Sequence, residues 1–265
     1  MTSPPTRPPS ATKPARVALF VTCLVDLVAP EVGDATVALL RHAGVEVDFP
    51  PSQTCCGQPP FNSGFHDDAR RLARTMLDAF EDAEAVVSPS GSCTAMVRSY
   101  YPHLFHGRPE QGRAEALAAK TYELSELLVD VLGDGIDGTW RGRVTYHDSC
   151  HGLRELGLTG QGRGLVRAIQ GVELAEMVRP EMCCGFGGTF SVRLPDVATA
   201  MADDKIDQTE ATGAAVVVAG DTGCLMHMAG RMSRRGSNVR AMHLATFLAG
   251  AAELVPAAAP GAAGG

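Results

Sequence analysis

The sequence predicts an α/β protein built from two pseudo-symmetric, Rossmann-like halves, each with a short parallel sheet. Two observations carry this expectation. Short β-branched runs alternate with helical stretches of 10 to 15 residues, a pattern that pairs strands in parallel across helical crossovers. In addition, the eight cysteines recur in one order twice along the chain.

The cysteines stand at 23, 55, 56 and 93, then at 150, 183, 184 and 224, so the second set is the first displaced by 127, 128, 128 and 131 residues. Flanking residues repeat as well. Cys55-Cys56-Gly57 matches Cys183-Cys184-Gly185, and Gly91-Ser92-Cys93 is similar to Thr222-Gly223-Cys224. Beyond the last cysteine of each half, TYELSELL (121–128) parallels AMHLATFL (241–248) at an offset of 120. Such a regular displacement identifies an internal duplication.

The elements repeat in step. RVALFVT (16–22) runs into Cys23 as RVTYHDS (143–149) runs into Cys150, and both predict strands. VEVDF (45–49) and VELAEMV (172–178) precede the cysteine pairs, while AEAVVSPS (83–90) and AAVVVAG (214–220) precede the fourth cysteines. Each half thus offers three strands. Phe65, Ala69, Leu72, Ala73, Met76, Leu77 and Phe80 form the stripe of an amphipathic helix, and 196–212 is its less regular counterpart, ending at Gly213. Parallel strands in this order place all eight cysteines just past carboxyl ends, where open α/β sheets hold ligands. The expected organisation is a disordered tail over 1–15, a first half over 16–135, a second over 140–254 and a loose tail over 255–265.

Composition excludes several function classes. The chain carries a formal charge of −7, and its basic residues never interleave with aromatics, so no nucleic-acid partner is expected. Neither a membrane span nor the apolar core of a signal peptide is visible, and a cytoplasmic location follows. In that reducing compartment, thiols serve as metal ligands or redox groups more often than as disulfides.

Four thiolates converging on one sheet edge suit an iron–sulfur cluster or zinc. Zinc sites favour paired CxxC hairpins, which neither half contains, and adjacent cysteines diverge too far to chelate one ion well. A cluster presents several irons, so iron–sulfur is the favoured reading, with zinc, buried thiols or a thiol–disulfide pair as alternatives. Gly57 and Gly185 allow backbone close to the site, and their N–H groups can serve cluster sulfurs. CCGFGG lacks the features of a phosphate loop, and no serine elbow is present. His147 and His151 flank Cys150 as ligands or hydrogen-bond donors. Asp26 and Asp148 read as caps or solvated turns, and Met226, Met228 and Met232 as core packing.

With CCGQP in the first half, and YHDSCH, CCGFGGTFS and AGDTGC in the second, the chain resembles the cysteine-rich CCG domain proteins over nearly all of 16–248. The resemblance implies an iron–sulfur subunit of a multi-protein L-lactate oxidizing system. Such a subunit passes electrons during conversion of lactate to pyruvate beside a ferredoxin-like iron–sulfur partner and other subunits, and is not active alone. Related modules serve glycolate oxidase, anaerobic glycerol-3-phosphate dehydrogenase and heterodisulfide reductase. Carried over, Cys23, Cys55, Cys56 and Cys93 hold one site and Cys150, Cys183, Cys184 and Cys224 the other, as one or two 4Fe-4S clusters; Gly57, Gly185 and His151, read from their places beside the cysteines, are assigned to cofactor binding. The fullest form of the motif ends in CxxC, whereas Ser90 and Asp221 stand here in place of a fifth cysteine. An open coordination position would admit a small hydroxy acid.

Overall fold

A computed structural model describes residues 13–133 and 135–255. The tails expected at 1–15 and 255–265 lie almost wholly outside the described residues.

Among the described residues, eight strands form two four-stranded sheets, one per half. The first contains β1 (Arg16–Leu19), β2 (Glu46–Asp48), β3 (Val86–Ser88) and β4 (Thr121–Glu123) in the order β2-β1-β3-β4. The second contains β5 (Thr139–Tyr146), β6 (Gln170–Leu174), β7 (Val216–Ala219) and β8 (Arg240–His243) in the order β6-β5-β7-β8. All pairings are parallel, with Leu19 opposite Val87 and Val144 opposite Val216. The inner strands β3 and β7 are buried throughout, which explains their unbroken apolar runs without the alternation of a one-sided sheet.

The fourth strand of each half is absent from the three-strand expectation. TYE and RAMH lie within the repeated segments of the duplication, but three or four residues before a helix carry no readable period. Burial against the neighbouring strand makes them strands. The expected helix in the first half spans His66–Ala79 and buries Ala69, Ala73, Met76 and Leu77; Phe65 caps it and is exposed rather than part of the stripe. Its counterpart covers Pro195–Ala211 and stops before Gly213, whose φ of +67° supplies the left-handed turn.

One core joins the halves. The helices Pro30–His42 and Leu244–Ala251 and the segments around Leu127 and Leu165 pack between the two sheets, bringing together Leu39, Leu127, Leu165 and Phe247 with Val17, Val144 and Val218. Each outer face carries its own cluster, Phe20, Met76, Phe80 and Tyr101 on the first sheet, and Met177, Ile206, Met228 and Met232 on the second. Met226, expected in the core, points outward instead.

Within each sheet the chain reverses its winding between β1 and β3, and between β5 and β7. That reversal opens a crevice at the carboxyl ends. Cys23, Cys55, Cys56 and Cys93 leave β1, β2 and β3 into one crevice, and the later four leave β5, β6 and β7 into the other.

Candidate metal centres

The thiols of each quartet touch in the same order. In the first, Cys23 Sγ lies 3.7 Å from Cys55 Sγ, Cys55 contacts Cys56, and Cys56 contacts Cys93. In the second, Cys150 contacts Cys183, Cys183 contacts Cys184, and Cys184 contacts Cys224. All eight are free thiols, with Cys56, Cys184 and Cys224 buried and the rest half-buried.

Crowding splits their acidities. Cys55 accepts hydrogen bonds from Cys23 and Cys56, and from the Gly57 backbone, so its thiolate is favoured and its pKa is pulled well down. Cys183 is pulled down in the same way by Cys150, Cys184 and Gly185, the Gly185 N–H standing 3.4 Å from its sulfur. The donor thiols Cys23, Cys56, Cys150 and Cys184 are pushed up. Four sulfurs gathered so closely, each contesting a proton with the next, form a thiolate set that a soft cation would satisfy.

The glycine after each pair has a geometric reason. Gly57 and Gly185 have φ of +82° and +88°. A β-carbon on Gly185 would lie 2.6 Å from the Ala198 carbonyl oxygen, and one on Gly57 3.3 Å from that of Ala69. The turn therefore presses the cysteine pair against the following helix while aiming an N–H at sulfur.

Ser90 and Asp221, the residues in place of a fifth cysteine, face each other across the seam between the halves. Asp221 Oδ1 accepts from Gly223 N at 3.2 Å and caps the helix Thr222–Arg235, which carries Cys224. Its Oδ2 accepts from Ser92 N at 2.9 Å and from Ser90 Oγ at 3.3 Å, while Ser90 Oγ accepts from Cys93 N. Both side chains are occupied in fixing helix starts.

A second polar contact crosses nearby. Gln58 Nε2 donates to the Ser92 carbonyl at 3.2 Å and faces His151 Nε2 at 3.4 Å; His151 Nδ1 lies 3.6 Å from Cys150 Sγ. With the Gln58 amide as donor, His151 Nε2 accepts and its Nδ1–H points at the cysteine sulfur. Gly91 packs so close to Gly152 that a β-carbon would meet its backbone at 3.3 Å. His151 thus stands between the quartets as a hydrogen-bonding residue. Asp26 lies in the first turn of the helix Cys23–Val28. Asp148, expected in a cap or solvated turn, is instead buried in an ion pair with Arg163, because the Arg163 side chain crosses the Tyr146 ring to reach it.

The halves differ around this common plan. His147 is fully buried, and one of its ring nitrogens lies within 4.8 Å of the sulfurs of Cys184 and Cys224, which are equally close to each other. Burial, with Lys205 nearby, holds its pKa down at about 3, so the ring is neutral. Lys205 is also fully buried; its Nζ donates to the carbonyls of Arg179 and Pro180 at 3.1 and 2.8 Å, bracing the turn before Cys183. In the first half, Tyr101 Oη donates instead to the Cys56 carbonyl at 2.9 Å. Neither Lys205 nor Tyr101 was legible as a site residue, since each sits in an ordinary helix far along the chain. The one signal for Lys205 was its rarity among 23 basic residues, of which only three are lysine.

The fourth strands end in another divergent pair. Glu123 caps the next helix through Ser125 N and Glu126 N, and burial raises its pKa to about 7. At the equivalent place His243 Nδ1 accepts from Ala245 N, its Nε2–H donates to the Pro89 carbonyl of the other half, and burial lowers its pKa to about 4.

A fold with paired thiol crevices at opposed sheet ends defines a class. A family model described as "Cysteine-rich domain" (CCG) matches residues 17–98 and again 144–229. Lactate utilization protein A of Geobacillus kaustophilus (strain HTA426) is 48% identical over 235 residues, covering 88% of this chain and 98% of that protein. The protein of the same name from Bacillus subtilis (strain 168) is 47% identical over the same share of each chain. The chain belongs to this cysteine-rich domain family, within the group of the lactate utilization A proteins. Its domain points to metal or iron–sulfur binding. In fold it is similar to a hypothetical protein from Helicobacter pylori, with a TM-score of 0.62 at 13% identity over 95% of this chain; the chain spans about half the length of that structure. No helix among the described residues is long and apolar enough to cross a membrane.

Proposed function

We propose that this chain is the iron–sulfur subunit of an L-lactate oxidizing system and passes on the two electrons released when lactate becomes pyruvate. The observation that carries the reading is the repeated thiol chain, Cys23-Cys55-Cys56-Cys93 and Cys150-Cys183-Cys184-Cys224, in a relative of proteins named for lactate utilization. Each quartet holds one 4Fe-4S cluster, whose chemistry is one-electron transfer. Gly57 and Gly185 donate N–H groups to the cysteine sulfurs, and His151 orients Cys150 beside the seam. Zinc is less well supported, because both quartets contain an adjacent pair and neither contains a CxxC.

Partner subunits, including a ferredoxin-like iron–sulfur protein, belong to the same reading. The helix beginning at Cys23 exposes Leu27 and Val28, and the segment after Cys184 exposes Val192 and Leu194. Apolar side chains left in water beside both thiol crevices favour a covered surface there. The test is anaerobic reconstitution followed by iron and acid-labile sulfide analysis, with lactate-dependent reduction measured in the assembled system. We expect about eight irons per chain, falling to about four in Cys184→Ala. Zinc without sulfide, or lactate-dependent electron transfer unchanged in Cys184→Ala, would refute the proposal.

A further inference from the structure

We infer that His147 is a nitrogen ligand of the second centre, giving it a mixed imidazole–thiolate set that the first centre lacks. The inference rests on the quartets being metal sites, as proposed above.

Three observations converge on this residue. His147 is fully buried, yet neither ring nitrogen has a hydrogen-bond partner. The carbonyl of Pro180 faces the ring and also accepts from Lys205 Nζ at 2.8 Å; it can engage one ring nitrogen at most, which leaves the other for the sulfurs. A buried imidazole nitrogen left unmet is rare in folded proteins and calls for a partner that the polypeptide does not supply, and a ring held by a carbonyl on its other nitrogen is how metal-bound histidines are oriented. A ring nitrogen also falls within 4.8 Å of both Cys184 Sγ and Cys224 Sγ, the separation of donor atoms that share one small ion or one cluster edge. His151, by contrast, has both nitrogens engaged, with Cys150 and with Gln58.

The duplication provides an internal control. His147 directly follows β5, three residues before Cys150, and Phe20 directly follows β1, three residues before Cys23. Phe20 is equally buried and packs edge-on against Phe80. The same place in the fold is therefore a filler in one half and a donor in the other. Asp221, the residue at the position of a missing thiolate, is spent on Gly223 and Ser92, so the fifth donor of the second centre comes from the strand end. A neutral imidazole adds no negative charge, and histidine ligation raises the potential of a cluster relative to thiolate alone. The second centre is thus the more oxidising of the two, and electrons settle there.

The experiment uses the full chain, loaded anaerobically, reduced with dithionite and examined by pulsed electron paramagnetic resonance with and without 15N-histidine labelling. We expect a strongly coupled nitrogen that shifts to the 15N pattern on labelling, disappears in His147→Phe and survives in His151→Asn. In His147→Cys, the higher of the two midpoint potentials falls toward the lower. A loaded protein with no directly bonded nitrogen, or with one that persists in His147→Phe, overturns this inference and leaves the proposed function standing. If His147→Phe fails to fold, the spectra of His147→Cys and His151→Asn decide the question, the nitrogen coupling being lost in the first and kept in the second. A chain that takes up neither iron nor sulfide overturns both.

Discussion

Asp221 offers the sharpest test of how the halves are held together. Replacing it by Ala removes the acceptor of Gly223 N, at 3.2 Å, and of Ser92 N, at 2.9 Å, and leaves Ser90 Oγ without its cross-seam partner. Loss of a helix cap costs about 1 kcal/mol. Loss of a hydrogen bond to a charged acceptor costs about 2 kcal/mol more, so the sum is about 3 kcal/mol. For a chain of this size each kcal/mol moves the melting temperature by about 2–4 °C, which puts the expected fall at about 6–12 °C. Asp221→Ser keeps a cap of the Ser90 kind but cannot reach Ser92, and should recover about 1 kcal/mol of the loss. The assay is thermal unfolding of the reduced protein, followed by near-ultraviolet circular dichroism, with iron counted per folded chain. A melting temperature within 2 °C of wild type would refute the strut assignment. So would wild-type stability with iron lost from one site, because that outcome makes Asp221 a ligand.

Two further outcomes follow from buried geometry. Burial raises the Glu123 pKa from the ordinary 4.5 to about 7, so the native state binds more protons than the unfolded chain between these values, and stability is fully present below pH 4.5 and lost as pH rises toward 7. The loss amounts to about 3 kcal/mol, and the difference between wild-type and Glu123→Gln unfolding midpoints across that range should show it. A flat difference curve would remove the assignment. His243 acts in the opposite sense, its contribution vanishing as pH falls from 6.5 to about 4, and it cancels in that difference. Gly185→Ala combines a φ of +88° with a 2.6 Å approach to the Ala198 carbonyl and should cost about 3 kcal/mol, against about 1–2 kcal/mol for Gly57→Ala with its 3.3 Å approach. Urea midpoints of the two variants measure the gap; equal losses would show that strain in φ, rather than contact with the helix, dominates.

The duplication, the parallel α/β layering and the gathering of the cysteines were legible because each rests on local pattern or fixed spacing. Strands β4 and β8 were not, since three or four residues show no period and become strands only by pairing with β3 and β7. The sequence marked His147 and His151 together, three residues before and one after Cys150. Only the fold separates them, because a strand end buries the first and a helix start turns the second toward Gln58. Ser90 and Asp221 looked like vacancies in a ligand pattern. Their role as a pair arises across 131 residues, a distance that no local reading spans.

The helical layer between the sheets bears on where such a molecule comes from. Cut near residue 135, either half would bare Leu39, Leu127 or Leu165 and Phe247 to water, an apolar face that a second identical copy would cover by twofold symmetry. In that homodimer every seam contact would occur twice, once from each copy, and both crevices would be bound to match. Joining the copies in one chain lifts the constraint. Phe20 and His147, Ser90 and Asp221, and Glu123 and His243 are then free to differ, and a symmetric pair of centres becomes a directional one.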